Sequence, residues 1–127
     1  MHAAKPIALV IDDDPDMAAL VRSILEREGY AVEIARDGRS AQTFFGNLAP
    51  PALVTLDIML PYYDGLELLA MLRSRAGWER VPVLMLTAKP KDKDRALAAG
   101  ATDYLVKPFM PADLRVKIRE LCPDPDD

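Results

Sequence analysis

The sequence predicts an α/β domain in which one parallel sheet is covered by helices on both faces. Three observations carry that expectation. Short apolar, β-rich runs alternate with amphipathic helical stretches along the 127 residues. Several of the runs are continuously hydrophobic, as strands buried on both faces are. Polar residues, above all Asp12, Asp13 and Asp14, stand directly after such runs, at the edge where open parallel sheets bind their ligands.

Taken in order, the first strand is Ile7–Ile11, and the triple acid follows it. The first helix, Pro15–Glu28, has Met17, Leu20, Val21, Ile24 and Leu25 at helical spacing, proline at its first turn, and Asp13 or Asp14 available as cap. Ala31–Ala35 alternates polar and apolar residues, as an edge strand does. A helix over Arg39–Leu48 leads to the continuous strand Leu53–Leu56, then a helix over Leu66–Arg75 and the strand Val81–Leu86. Asp92–Ala99, Tyr104–Val106 and Pro111–Leu121 complete the alternation. Gly29, Gly46, Gly77 and Gly100 stand at or just past helix ends, where a left-handed residue closes a helix. The order implies a doubly wound, flavodoxin-like (βα)₅ five-stranded parallel sheet, with its crevice at the carboxyl ends of the first, third, fourth and fifth strands.

A chain of this length supports one buried core, so a single domain is expected, with a core of about residues 6–121 and an acidic tail over 122–127. Sixteen basic and twenty acidic residues give a net charge of −4. That balance disfavours direct nucleic-acid binding through electrostatics. Cys122 is the single cysteine, which excludes an intramolecular disulfide and a cysteine metal cluster and fits a reducing cytoplasm. The apolar run that follows Pro6 is too short for a signal-peptide core or a membrane span, so a cytoplasmic, soluble protein is expected.

Three like charges at the end of a core strand repel one another unless a cation sits among them. One acid serves as a helix cap; three exceed what capping requires. The cluster therefore asks for a hard divalent metal, which a few carboxylate oxygens with waters and a phosphate can hold. Asp57 follows the third strand with no helix close enough to cap, Thr87 follows the fourth, and Lys107 follows the fifth. Each alone reads as a turn or surface residue. Together they describe one site.

With those residues in place, the chain resembles the receiver domain of two-component response regulators, from about Pro6 to Leu121. The motifs are Leu-Val-Ile-Asp-Asp-Asp at 9–14, Thr-Leu-Asp-Ile-Met-Leu-Pro at 55–61 with Asp64-Gly65, Leu-Thr-Ala at 86–88, and Gly-Ala-Thr-Asp-Tyr-Leu-Val-Lys-Pro-Phe at 100–109. The resemblance implies that Asp57 is the phosphoacceptor and that Mg²⁺ is held by Asp13, Asp57 and the Met59 backbone carbonyl, with Asp12 acting through a bound water. It implies that Thr87, the Ala88 backbone and Lys107 hold phosphoryl oxygens, that Thr87 and Tyr104 relay the switch, and that the Lys107-Pro108 bond is cis. The implied partners are a histidine kinase or a histidine phosphotransfer protein, and a downstream protein or a second copy bound through the fourth helix, fifth strand and fifth helix. On that face Asp103, Arg95 and Lys117 carry charges that could pair across a two-fold axis. No direct nucleic-acid contact and no membrane contact is expected.

The implied activity is that of a signalling module which catalyses only its own phosphorylation and dephosphorylation. Two alternatives stand beside it. An aspartate-nucleophile phosphatase would want a second acid two residues after the nucleophile, and position 59 is methionine. A phosphorylation-independent scaffold would have lost a site residue, and none is lost. The stretch from Thr87 to Lys107 is shorter than the resemblance leads one to expect, so the fourth helix is expected to be short, with Pro90 in a loop before it. Tyr62 and Tyr63 are expected to rest on neighbouring helices.

Overall fold

The computed structural model describes residues 4–60 and 63–122. Its sheet is formed by β1 (Ile7–Ile11), β2 (Ala31–Ala35), β3 (Leu53–Asp57), β4 (Val83–Thr87) and β5 (Asp103–Val106). The strands are all parallel, in the order β2-β1-β3-β4-β5, so the alternating strand Ala31–Ala35 takes an edge as its pattern indicates. The chain winds outward from β1 in both directions, which opens a crevice between the ends of β1 and β3.

The period of two in each strand divides the core. Leu9, Ile11, Val54, Leu56, Val83 and Met85 face one side, against α2 (Gly38–Asn47), α3 (Gly65–Arg73) and α4 (Lys93–Ala98). Ala8, Val10, Leu53, Leu84 and Leu86 face the other, against α1 (Pro15–Arg27) and α5 (Pro111–Leu121). Each of β1, β3 and β4 is therefore apolar on both faces, and the free energy of burying both layers holds the strand ends in place.

Aspartates start three of the helices. Asp14, Asp37 and Asp64 accept hydrogen bonds from the backbone N–H of Asp16, Ser40 and Leu66, and so satisfy donors that a helix leaves unpaired. Gly29 and Gly100 close α1 and α4 with φ of 101° and 113°. Gly46 departs from expectation. It lies inside α2, because that helix runs on to Asn47 and leaves through Leu48 in extended conformation, with the Leu48 N–H bonded to Phe44 O, so no left-handed residue is needed.

Two other differences concern the site. β3 and β4 each run one residue further than the apolar pattern, so that Asp57 and Thr87 belong to the strands. β4 begins at Val83 because Pro82 has no N–H to give to the ladder. After β3, a small antiparallel ribbon pairs Met59–Leu60 with Tyr63–Asp64, an element with no sequence forecast. The Tyr63 ring lies where a Cβ on Gly38 would stand, so it rests on the start of α2 as expected. Pro90–Asp92 forms a 3₁₀ turn ahead of the six-residue α4, and Lys107-Pro108 is cis. Tyr62 and the tail from residue 123 lie outside the described residues. Among the described residues, no helix is long and apolar enough to cross a membrane.

Candidate functional site

The crevice collects side chains from four strand ends. Asp12 follows β1, and its Oδ1 accepts the Asp14 N–H at 3.0 Å. That turn leaves its Oδ2 buried without a hydrogen-bond partner. Asp57 ends β3, where its Oδ1 accepts the Met59 N–H at 3.1 Å and so fixes the carboxylate to the ribbon. Carboxylate oxygens of Asp12, Asp13 and Asp57 lie within 4.8 Å of one another, with Asp12 and Asp57 buried and Asp13 exposed. Burial pushes the Asp12 carboxyl above its ordinary value, and the charges of Asp57 and Asp13 push the same way. The Asp14 N–H and Lys107 oppose that shift only in part.

Lys107 arrives from the end of β5. Its Nζ is 3.2 Å from Asp57 Oδ2 and 3.6 Å from Asp12 Oδ2, and its backbone N–H donates to Thr87 O at 2.7 Å. One ammonium thus faces a group of three carboxylates. A net deficit of positive charge, hard oxygen donors and a buried oxygen that accepts no hydrogen bond together fit a divalent cation, so the cluster could hold a metal. Helix α3 supports this edge at very close range. A Cβ on Gly65 would stand 2.5 Å from Asp57 O and 2.6 Å from the Ile58 Cα, and the Gly65 N–H donates to Ile58 O at 2.7 Å.

Thr87 ends β4 one position beyond the partner of Asp57, yet its hydroxyl is engaged elsewhere. Thr87 Oγ1 donates to Lys89 O at 3.2 Å and accepts from the Lys89 N–H at 3.0 Å. That clamp was not visible in the sequence, because a backbone partner leaves no signature in residue type. Ala88 follows at an exposed bend. Tyr104 is not in the crevice; on β5 it pairs in register with Met85, and Lys93 and Lys117 lie 4.8 Å and 5.9 Å from its ring centroid. The charges expected to be free for a two-fold partner are already engaged within the chain. Lys117 Nζ meets Asp103 Oδ2 at 2.8 Å, and Arg95 meets Asp92 at 3.5 Å. The structure thus brings Asp12, Asp13, Asp57 and Lys107 together, sets Thr87 and Ala88 at the rim, and holds Tyr104 apart.

Proteins of known family are similar to this chain in sequence and in fold. The chain is 41% identical over 121 residues to the DNA-binding response regulator MtrA of Mycolicibacterium smegmatis, covering 94% of this chain and 51% of that protein. It therefore spans about half the length of the curated relatives it matches. Among solved structures, the chemotaxis response regulator CheY4 of Vibrio cholerae superposes with a TM-score of 0.86 at 31% identity, covering 93% of this chain and 99% of that one. The receiver domain of the sensor histidine kinase PA1611 of Pseudomonas aeruginosa, solved with a magnesium ion coordinated in its active site cleft, gives 0.84 at 29% identity, covering 95% of this chain and 100% of that one. The family description "response regulator receiver domain" matches residues 8–119, from the first core strand to the last helix, and the chain belongs to that family.

Proposed function

We propose that this receiver takes a phosphoryl group onto Asp57 from the phosphohistidine of a histidine kinase or a histidine phosphotransfer protein, and that the phosphoryl group then switches a protein-binding surface. The observation that supports this best is the Asp57 carboxylate held 3.2 Å from the Lys107 ammonium inside a cluster of three acids. Attack by one anion on another needs the charge of both offset, and phosphoryl transfer depends mainly on positioning and electrostatic stabilisation. Asp12, Asp13, Asp57 and the Met59 carbonyl would hold Mg²⁺, in line with the magnesium in the PA1611 cleft. When bound, the ion supplies positive charge to the phosphoryl oxygens.

Asp57 Oδ attacks phosphorus as the bond from phosphorus to the histidine nitrogen breaks, and the imidazole leaves with the electron pair. Lys107 turns its ammonium from the carboxylate to a phosphoryl oxygen. The product carries nearly two negative charges, enough to draw the Thr87 hydroxyl and the Ala88 N–H toward it. Thr87 then leaves Lys89, and Tyr104 can turn inward, altering the surface formed by α4, β5 and α5. That surface meets a downstream protein or a second copy. With a net charge of −4 we assign the chain no direct nucleic-acid contact; DNA binding belongs to MtrA, which is about twice as long. The chain acts as a signalling module in the cytoplasm and turns over no external substrate.

Acetyl phosphate with Mg²⁺ should add one phosphoryl group by mass, and Asp57→Asn should abolish the addition. Full labelling of the Asn variant would overturn the assignment.

A further inference from the structure

Beside the Asp57 cleft, a groove of about 400 Å³ opens between the ribbon and the segment that leads into α4. Met59, Leu60 and Tyr63 contribute apolar lining from the ribbon, and Lys89, Lys91 and Arg95 contribute cations from the other segment. The apolar part is unusually open, since Met59 is 63% exposed. A flexible thioether in water is a common feature of surfaces that accept varied partners.

The cationic lining runs against the charge of the whole chain, which is −4. Two acids also line the groove, against three cations, so the lining stays net positive. Asp92 is buried and paired with Arg95 at 3.5 Å, and Asp64 caps α3 by accepting the Leu66 N–H at 2.9 Å. Lys89 and Lys91 are exposed and form no ion pair among the described residues. Two unneutralised lysines beside an exposed apolar wall call for a ligand that is anionic and apolar at once. A bare anion would satisfy the lysines alone and leave Met59 in water.

We propose that this groove docks an acidic peptide segment of a protein partner, with its carboxylates on Lys89 and Lys91 and one apolar side chain on Met59, Leu60 and Tyr63. Complementary charge steers such a segment and fixes its register, while the apolar anchor supplies most of the hold. The site lies on the ribbon side of α4 and touches the α4, β5 and α5 face only through Arg95.

Its position also ties it to the chemistry, and this part rests on the phosphorylation of Asp57 proposed above. The Lys89 backbone holds the Thr87 hydroxyl through both its N–H and its carbonyl. When that hydroxyl turns to a phosphoryl oxygen, both bonds are released and Lys89 is free to move in the groove wall. Docking affinity therefore differs between the two states, and a docked segment shifts the affinity of the site for a phosphoryl mimic by the same factor.

A random dodecapeptide display library, selected on the full chain with and without beryllofluoride and Mg²⁺, tests the proposal. Enriched peptides should carry Asp or Glu beside Leu, Met or Phe. The best of them, synthesised, should bind the Lys89→Glu/Lys91→Glu variant about tenfold or more weakly. It should bind Arg22→Glu/Arg27→Glu, which changes net charge equally on α1, with little loss. Absence of acidic enrichment, or equal loss in both variants, overturns the docking site. Affinity that is the same with and without beryllofluoride, in protein whose Asp57 is labelled by acetyl phosphate, overturns the coupling. Absence of labelling would overturn the phosphorylation reading instead, and peptide binding to the untreated chain would still decide the groove.

Discussion

Asp12 is the residue at which stability and function pull apart. Its carboxylate is 1% exposed, one oxygen has no hydrogen-bond partner, and burial raises its proton affinity. Lys107 stands nearer to Asp57 than to Asp12, so the ammonium offsets only part of that cost. Asp12→Asn keeps an acceptor for the Asp14 N–H and removes the buried charge. Metal-free stability should rise by about 1 kcal/mol in urea unfolding while Mg²⁺ binding weakens. A loss of metal-free stability would show that the Lys107 contact outweighs the burial. Asp13 is exposed, so water screens its repulsion, and Asp13→Asn should weaken the metal with little change in the apo protein. At this scale the sequence was readable where charge interrupts an apolar run, which is how Asp57, Thr87 and Lys107 stand out. The Lys89 clamp on Thr87 was not, since any residue could provide that backbone.

Among the elements, α3 depends on a residue that has no side chain. Gly65 lets the first turn of the helix press on the backbone of Asp57 and Ile58, at distances no Cβ tolerates. Backbone cannot swing aside as a flexible side chain does. Gly65→Ala should therefore cost about 1–3 kcal/mol and move Asp57 away from Lys107. Thermal unfolding reads the first effect, and a slower mass shift with acetyl phosphate reads the second. Normal stability and labelling together would mean that α3 can slide outward freely. Strand and helix identities were legible because periods of two and of 3.6 are imposed by burial. Their ends were less so. Asp57 and Thr87 extend their strands because ladder hydrogen bonds continue past the last apolar residue, and α2 stops at Asn47, one residue short of the expected end, because Leu48 leaves in extended conformation. The ribbon after β3 is too short to show a period at all.

For the whole molecule, the doubly wound parallel class was legible in the alternation of strands and helices, and ion pairs then close the outer surface. Arg119 of α5 donates to Glu28 at the end of α1 at 2.7 Å and 3.3 Å. That hydrogen bond, with the nearby charges of Arg119 and Arg115, holds the Glu28 carboxyl below its ordinary value of 4.5 against the opposing effect of burial. A lowered carboxylate stabilises the fold above the unfolded value, and the contribution is lost as pH falls through the folded one. Arg119→Gln should accordingly flatten the dependence of unfolding free energy on pH below about 4.5, although exposure of Arg119 and added salt reduce the effect. The α4, β5 and α5 face poses a harder question, because the charges expected to pair across a two-fold axis already pair within the chain. Lys117 and Asp103 are only partly exposed, and such a pair contributes about 0–1 kcal/mol, so exchanging it for an identical pair between copies costs little. Val116, at 54% exposure, supplies apolar contact on the same helix. We therefore expect beryllofluoride with Mg²⁺ to promote a dimer whose fraction falls with salt, and Lys117→Glu to abolish it by placing like charges opposite one another. Sedimentation at high micromolar concentration decides: a chain that stays monomeric with beryllofluoride bound assigns the α4, β5 and α5 face to a different protein. A dimer that ignores both salt and Lys117→Glu would assign it to another surface.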